Sequence, residues 1–551
     1  MFDIAGLRTQ LSRGGLPHGV AAVGNIERVI VVALSMAAIV AAASFLKLMF
    51  FTHGIDTAGM VDLVGNIAHG RGMVSSAFSS FYSIWDLLNK PPDIYCQDAF
   101  SSLFADANFA LWHPYLIAYP MAALTWVPGF DALTVTTLML ATSLIGGLAA
   151  LYWFLRRQGC AVGPAILFVA VVFLFQPWSG NLAGQFYFDR LFFLPALVLI
   201  FTVHERLTTG RGSWVAIVLS AAACMAISER PAIMCGAFLI AYTVLWHGPA
   251  VWRSRDARLL IGLGLCAFVY VGLYAIFVQN SKYYSSFGIR NFLYSIDLVL
   301  GVLRLPSEKM IAVLLPMLIL SIFSWRAGLV AVGAIIPNFL ITVGGAEKTG
   351  FLTHYHSPYL PFVVAAAGLG LLRLDELARR PEGMRKLAGQ AALGGVLVAA
   401  GAYGHHLDSA NLTRPFAFTA TPDQTQFVAV LPTDQWPLIQ SIKFRRDFLQ
   451  RVAAEIPMGA SVSSSDWVMP ALVDRGIKLV DYAPIGLGAR DFVIMEYLGG
   501  TSLPVVPSYL AGEDLRSIQR CVEDRVRATY EPIREVKNPG SSFVIFAPRN
   551  K

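Results

Sequence analysis

Eleven apolar runs recur along this chain, each near the length an α-helix needs to cross the hydrocarbon core of a bilayer. They lie near residues 28–51, 131–155, 162–177, 190–204, 213–228, 232–247, 259–278, 310–323, 327–343, 358–372 and 387–403. A soluble core has too little interior to hide that much apolar surface. Of the 551 residues, 56% are hydrophobic and 14% charged, against roughly 25% charged in ordinary soluble proteins. The expected fold is mainly α: a polytopic membrane helix bundle of about eleven spans.

Charge changes along the chain. Residues 1–403 are about 11% charged and residues 404–551 about 22%, which predicts a change of solvent near residue 404. The tail from 404 balances its basic and acidic side chains, so the net charge of +7 belongs to the membrane part and does not imply nucleic-acid binding. The expected organisation is a cytoplasmic N-terminal tail (1–27), a transmembrane domain (28–403) with a long first external loop (52–130), and a periplasmic soluble domain (404–551). The N-terminus is read as uncleaved, because residues 1–27 are polar and the first apolar run is too long for a signal peptide.

Orientation follows from arginine. With the N-terminus cytoplasmic, alternate loops carry Arg156, Arg157, Arg206, Arg211, Arg253, Arg255, Arg258, Arg326, Arg373, Arg379, Arg380, Arg385 and Lys386 on the inner side. Apart from the first loop, the outer loops hold Arg190, Arg230, Lys282, Arg290, Arg304, Lys309 and Lys348. An odd number of spans then places the C-terminal tail outside a bacterial inner membrane. The apolar segment His113–Val127 is too short to span and is bounded by proline, so it is read as an interfacial helix.

Little in the sequence points to cofactor chemistry. It contains no phosphate-binding glycine loop, dinucleotide fingerprint or short repeat. Its six cysteines lack metal-ligand spacing, and four lie in or beside apolar spans, where Cys behaves as a small hydrophobe. Cys96 and Cys521 both fall on the expected external side and could pair there, although separate thiols are the simpler reading.

Polar residues gather instead at the external ends of the spans. Asp56 and Asp62 follow the first span; Asp189 with Arg190, Glu229 with Arg230, Lys282 with Arg290, and Glu347, Lys348, His354, Tyr355 and His356 begin or end later ones. For any one sequence-adjacent pair, a structural ion pair holding helix ends is the simpler reading. Likewise, Asp56 and Asp62 can be solvated residues at headgroup depth. Collected at one face, however, cations with Tyr and His suit an amphiphile bearing a phosphate, and a nearby carboxylate can take a proton from an attacking hydroxyl.

The stretches IDTAGMVDLVGNIAHGRG, ALWHPYLIAYP, SERP, AIIPNFL and THYHSPYLPF, with IPMGASVSSSDWVMPAL and DFVIMEY in the tail, carry a resemblance. In their order along the chain they resemble the GT-C superfamily of membrane glycosyltransferases, most nearly a bacterial branch still described as a domain of unknown function. The resemblance implies a polyprenyl-phosphate sugar as donor, a glycan, lipid or protein of the cell envelope as acceptor, and Asp56 as general base in an inverting displacement. It also implies that donor phosphate and substrate are held among Arg190, Glu229, Arg230, Lys282, Arg290, Lys348, His354 and Tyr355. No cofactor is required; a divalent metal is compatible with the superfamily, and no dense carboxylate cluster in the sequence demands one.

The tail reads as a small α/β domain, with helices at Phe448–Ile456 and Trp467–Asp474 and strands at Ala460–Ser463, Lys478–Asp481, Asp491–Met495 and Ser542–Phe546. Two other classes compete with the enzyme. A flippase for a lipid-linked sugar would place acids and bases within the spans, often with an internal repeat, and an envelope scaffold would act through the tail alone.

Overall fold

The computed structural model describes residues 24–52, 54–80, 113–184, 186–278, 307–340, 356–379, 390, 394, 436–477, 479–483, 486–487, 490–498, 501–506, 515–538 and 541–549. The first ten apolar runs all fall on helices. The eleventh, 387–403, lies outside the described residues except for positions 390 and 394, as does the boundary at 404.

The first part of the chain contains α1 (Asn25–Met49), α2 (Ile55–Ala68), α3 (Ala118–Leu124), α4 (Ala132–Arg157), α5 (Val162–Leu174), α6 (Gln176–Ala183), α7 (Phe193–Thr209), α8 (Trp214–Ile227), α9 (Glu229–His247) and α10 (Arg255–Phe277). After these come α11 (Ser307–Ile322), α12 (Trp325–Leu340) and α13 (Leu360–Ala378). Five helical stretches, Asn25–Thr52, Ala132–Arg157, Phe188–Thr209, Glu229–Arg253 and Arg255–Phe277, are long and apolar enough to cross a membrane. Four other described apolar helices are shorter, at 10–17 residues. One reason is visible at Phe175, which is extended between α5 and α6: Pro177 has no N–H to continue the helix, so the apolar run bends instead of crossing straight.

Ion pairs fix the depth of the first two long helices. Glu27 of α1 pairs with Arg156 at the end of α4 (2.7 Å), while Lys47 at the other end of α1 pairs with Asp131, which caps the start of α4 (3.5 Å). Twenty residues of helix separate Glu27 from Lys47, or about 30 Å, the thickness of a hydrocarbon core. Between the ends, the outer face of α1 is bare and apolar, with Val29, Val32, Leu34, Met36 and Val40 exposed, as suits contact with lipid. Helices α9 and α10 pack as a tight hairpin at Gly236 and Gly264. A Cβ on either would come within 3 Å of the other's carbonyl oxygen, so the small residues set the approach.

The C-terminal domain consists of α14 (Trp436–Ala454), β1 (Ser461–Ser464), α15 (Met469–Asp474), β2 (Leu479–Tyr482), β3 (Phe492–Leu498), α16 (Leu515–Thr529), β4 (Tyr530–Asn538) and β5 (Ser541–Pro548). Its five-stranded sheet has the order β2-β1-β3-β5-β4. The first three strands are parallel, with α15 joining β1 to β2, and β5 and β4 are antiparallel. All four expected strands and both expected helices occur; α14 starts earlier than expected, and α16 and β4 are additional.

The core of this domain does not end at its own boundary. Phe50 and Phe51 at the end of the first apolar run, with Ile55, Ala58, Val61 and Ala77 from the segment that follows it, share one apolar cluster with Val468, Met469, Leu472 and Val493. Cys521, on α16, is disulfide-bonded, so of the two alternatives for it the separate thiol is excluded. Cys160, Cys224, Cys235 and Cys266 carry free thiols, and Cys96 lies outside the described residues.

Candidate functional site

Four chain segments converge at the end of the bundle where α7 and α9 begin. One is 186–192, whose Phe188–Phe192 portion is a 3-10 turn leading into α7. The others are the start of α9, the stretch 113–117 ahead of α3, and residues 356–359 before α13. Their aromatic side chains form a dry wall. His113 stacks on Tyr115 (centroids 5.1 Å apart), Tyr115 leans on Phe188 (4.9 Å) and meets Tyr187 edge-on (5.9 Å). Ile117 N–H donates to the carbonyl of Ala226 at 2.8 Å, tying this segment to the end of α8.

The charged groups set in this wall pair across segments. His113 Nδ1 lies 2.8 Å from Glu229 Oε1, and both residues are buried. Asp189 accepts from Ser228 Oγ and lies 3.7 Å from Arg230. Arg190 is 1% exposed and points away from Asp189, donating to the carbonyls of Gly180 (3.0 Å) and Asn181 (2.6 Å) at the end of α6. A cation is favoured there by the helix dipole. Asn181 in turn accepts from Ser357, and His356 Nδ1 lies 2.9 Å from the Tyr359 hydroxyl. Asp189 thus faces Arg230, and Glu229 meets His113 as well as the charge of its neighbour Arg230. Adjacent residues at a helix start project in different directions, so each finds a partner on another segment.

The segment that follows α1 closes the site from a further side. Asp56 is the second residue of α2; its side chain lies outside the described part of the structure. Its neighbour Thr57 accepts from the Phe186 N–H at 3.0 Å, which sets the first turn of α2 against the segment leading to Asp189. Asp62 is not solvated as a headgroup-level acid would be. It is 8% exposed and accepts from Ser75 Oγ (2.7 Å) and Asn66 Nδ2 (3.2 Å), so it braces the turn after α2. Lys282, Arg290, Lys348, His354 and Tyr355 lie outside the described residues.

From Arg230 an apolar groove of about 530 Å³ runs down between α9, α12 and α13, lined by Ile233, Phe238, Leu245, Leu329, Val330 and Phe362 among others. Arg230 and Leu245 are fifteen residues apart on α9, so the groove is about 22 Å long. Ile233 and Leu329 are exposed along it, leaving it open to the surroundings of the bundle. Beside the site, α3 and the turns that flank it present Leu116, Tyr119, Leu124, Trp126 and Val127 outward while α3 buries Ala118, Met121 and Ala122. That pattern suits a helix lying in the membrane interface.

Among the described residues, no three His, Cys, Asp or Glu side chains converge as a metal site. Sequence reasoning missed His113, Asn181, Ser228 and Ser357 as members of the cluster; the motifs ALWHP, SERP and HSPY contain three of them, but their partners lie 39 to 176 positions away. A comparison with known protein families finds no family model that matches the chain, and a comparison with curated proteins finds no match.

Proposed function

We propose that this chain is a GT-C-type glycosyltransferase of the bacterial cytoplasmic membrane, with about eleven spans, a cytoplasmic N-terminus and the domain from 404 onward in the periplasm. The observation that carries the reading is the apolar groove headed by Arg230 beside a buried cluster of Asp189, Glu229 and His113. A polyprenyl chain would fill the groove and its phosphate would meet the guanidinium at its head. Neither a nucleotide nor a free sugar needs so long an apolar channel.

In this reaction an acceptor hydroxyl attacks the anomeric carbon of the donor sugar. The bond from that carbon to the phosphate oxygen breaks, polyprenyl phosphate leaves with the bonding pair, and Asp56 takes the hydroxyl proton. Arg230 stabilises the departing phosphate, with Lys282, Arg290, Lys348 and His354 as further candidates from the outer loops. Arg190 braces the end of α6, and Glu229 with His113 fixes the position of Arg230 at the start of α9. The acceptor is a glycan, lipid or protein of the envelope, and no cofactor enters the step.

The periplasmic placement of the tail is supported by the disulfide-bonded Cys521, since such bonds persist in oxidising compartments. The reading is tested by incubating purified protein with radiolabelled polyprenyl-phosphate sugars and envelope extract, beside an Asp56→Asn variant whose folding is checked by gel filtration. Transfer by wild type that falls at least ~100-fold in the variant is expected for loss of a general base. Wild-type protein that binds every donor and transfers none would instead favour a flippase or scaffold.

A further inference from the structure

Helix α2, which carries Asp56, starts without a capping side chain of its own. Its N-cap is Gly54, and no local residue accepts from its first-turn N–H groups through a side chain. The acceptor comes from the other end of the sequence: Asp466 Oδ1 takes the Ile55 N–H at 2.6 Å, from 411 positions away. A negative group at this position complements the helix dipole as well as satisfying an orphan donor. Glycine at 54 is what admits it, since a Cβ there would lie 2.4 Å from both carboxylate oxygens of Asp466.

The same domain grips the loop at a second place. Strand β2 is an edge of the sheet, and its backbone groups are met by two serines one helical turn apart in residues 76–80. Val480 N–H donates to Ser76 Oγ (2.9 Å), Ser76 Oγ lies 3.2 Å from the Val480 carbonyl, and Tyr482 N–H donates to Ser80 Oγ (2.8 Å). Serines at i and i+4 on a helix rise about 6 Å, close to the spacing of residues i and i+2 on a strand, so they cover an edge that would otherwise be open. Between the two grips lies the shared core of Ile55, Ala58 and Val61 with Met469 and Leu472. On its opposite side, the first turn of α2 is held by the bond from Phe186 N–H to Thr57.

We propose that the C-terminal domain clamps the first external loop, and that Asp466 is a positioning residue that fixes the turn carrying Asp56. The mechanical half stands on the contacts above; the catalytic half rests on the glycosyltransferase reading. Asp466 holds the N–H of Ile55, the residue before Asp56, so a loosened first turn would displace the base without touching substrate. Its effect therefore falls on turnover and not on donor affinity.

The experiment uses full-length protein in detergent and compares wild type with Asp466→Ala, Asp466→Asn and Gly54→Ala. Hydrogen exchange is followed in peptides covering residues 50–60, together with the kcat and KM of sugar transfer. Asp466→Ala is expected to speed exchange of the first-turn amides at least tenfold and to lower kcat at least tenfold, with donor KM within twofold of wild type. Asp466→Asn, whose amide oxygen still caps, is expected to restore both. Gly54→Ala pushes the carboxylate away from the other side and reports on the same contact if Asp466→Ala fails to fold. Unchanged exchange in both Asp466→Ala and Gly54→Ala overturns the clamp. Faster exchange with unaltered kcat overturns the positioning role. A wild type that transfers no sugar defeats the glycosyltransferase reading, and the exchange data still decide the clamp.

Discussion

The two ends of the helix bundle both carry ion pairs, but they treat them differently. At the arginine-rich end, Glu27 with Arg156, Glu205 with Arg157, Asp256 with Arg206 and Glu376 with Arg373 each leave at least one partner a fifth or more exposed. At the other end, Lys47 with Asp131 is as exposed as these, but in the cluster His113 and Glu229 are both buried, and Asp189 is 2% exposed although its partner Arg230 is 28% exposed. Wet pairs contribute little stability and suit a membrane boundary, where they fix the depth of helices. Dry pairs cost desolvation, and apolar side chains would hold helices together more cheaply. Such a cluster next to a long apolar groove is better explained by ligand chemistry than by stability.

The sharpest way to break this contrast is to remove one partner at each end. Asp189→Ala removes a buried carboxylate that accepts from Ser228 and faces the partly exposed Arg230, and is expected to cost about 2–3 kcal/mol of unfolding free energy in detergent. A loss under about 1 kcal/mol would place the two ends on the same footing. A second, smaller effect belongs to the clamp. Burial pushes the Asp466 carboxyl up to about 6, against the opposing pull of the Ile55 N–H and Arg445, and Glu496 and Asp474 are raised by burial as well.

The sign follows from proton uptake. Between about pH 4 and 6 the folded protein holds a proton on Asp466 that the unfolded chain has released, so stability falls as pH rises through that window and levels off above it. Unfolding followed from pH 7.5 down to 5 should therefore show a gain of order 2 kcal/mol, much of it missing in Asp466→Asn. A pH-independent wild type would contradict the burial of that carboxylate. The smallest effect is expected at the arginine-rich end: Arg206→Ala removes two bonds to Asp256 and should cost no more than about 1 kcal/mol in the same unfolding measurement.

The bundle was largely legible in the sequence because hydrophobic runs record burial in lipid directly, and ten of the eleven coincide with helices. The strands of the tail were legible where both faces are buried, as in β3, whose Val493 to Tyr497 are all buried. Strand β4 was not: it is an edge with Pro532 beside a register shift and charged residues on both sides, so no period-two pattern survives. In α16 the apolar stripe of Ile518, Val522 and Val526 is regular but sits among seven charged or amide side chains, which hid it. Site membership was legible only as a set of polar residues at one end. Which residues pair depends on contacts such as His113 with Glu229, 116 positions apart, and Ile55 with Asp466, which no local pattern encodes.

The central claim is that the dry end and its groove receive a lipid-linked phosphate. It is tested most directly by measuring binding of polyprenyl phosphate to purified protein by native mass spectrometry, with wild type beside Arg230→Gln, Ala237→Trp and Arg206→Ala. Ala237 lines the groove, so Trp would fill it. The account expects Arg230→Gln and Ala237→Trp each to weaken binding about tenfold, a change of about 1.4 kcal/mol, with Arg206→Ala indistinguishable from wild type. Equal binding by all four proteins would contradict it.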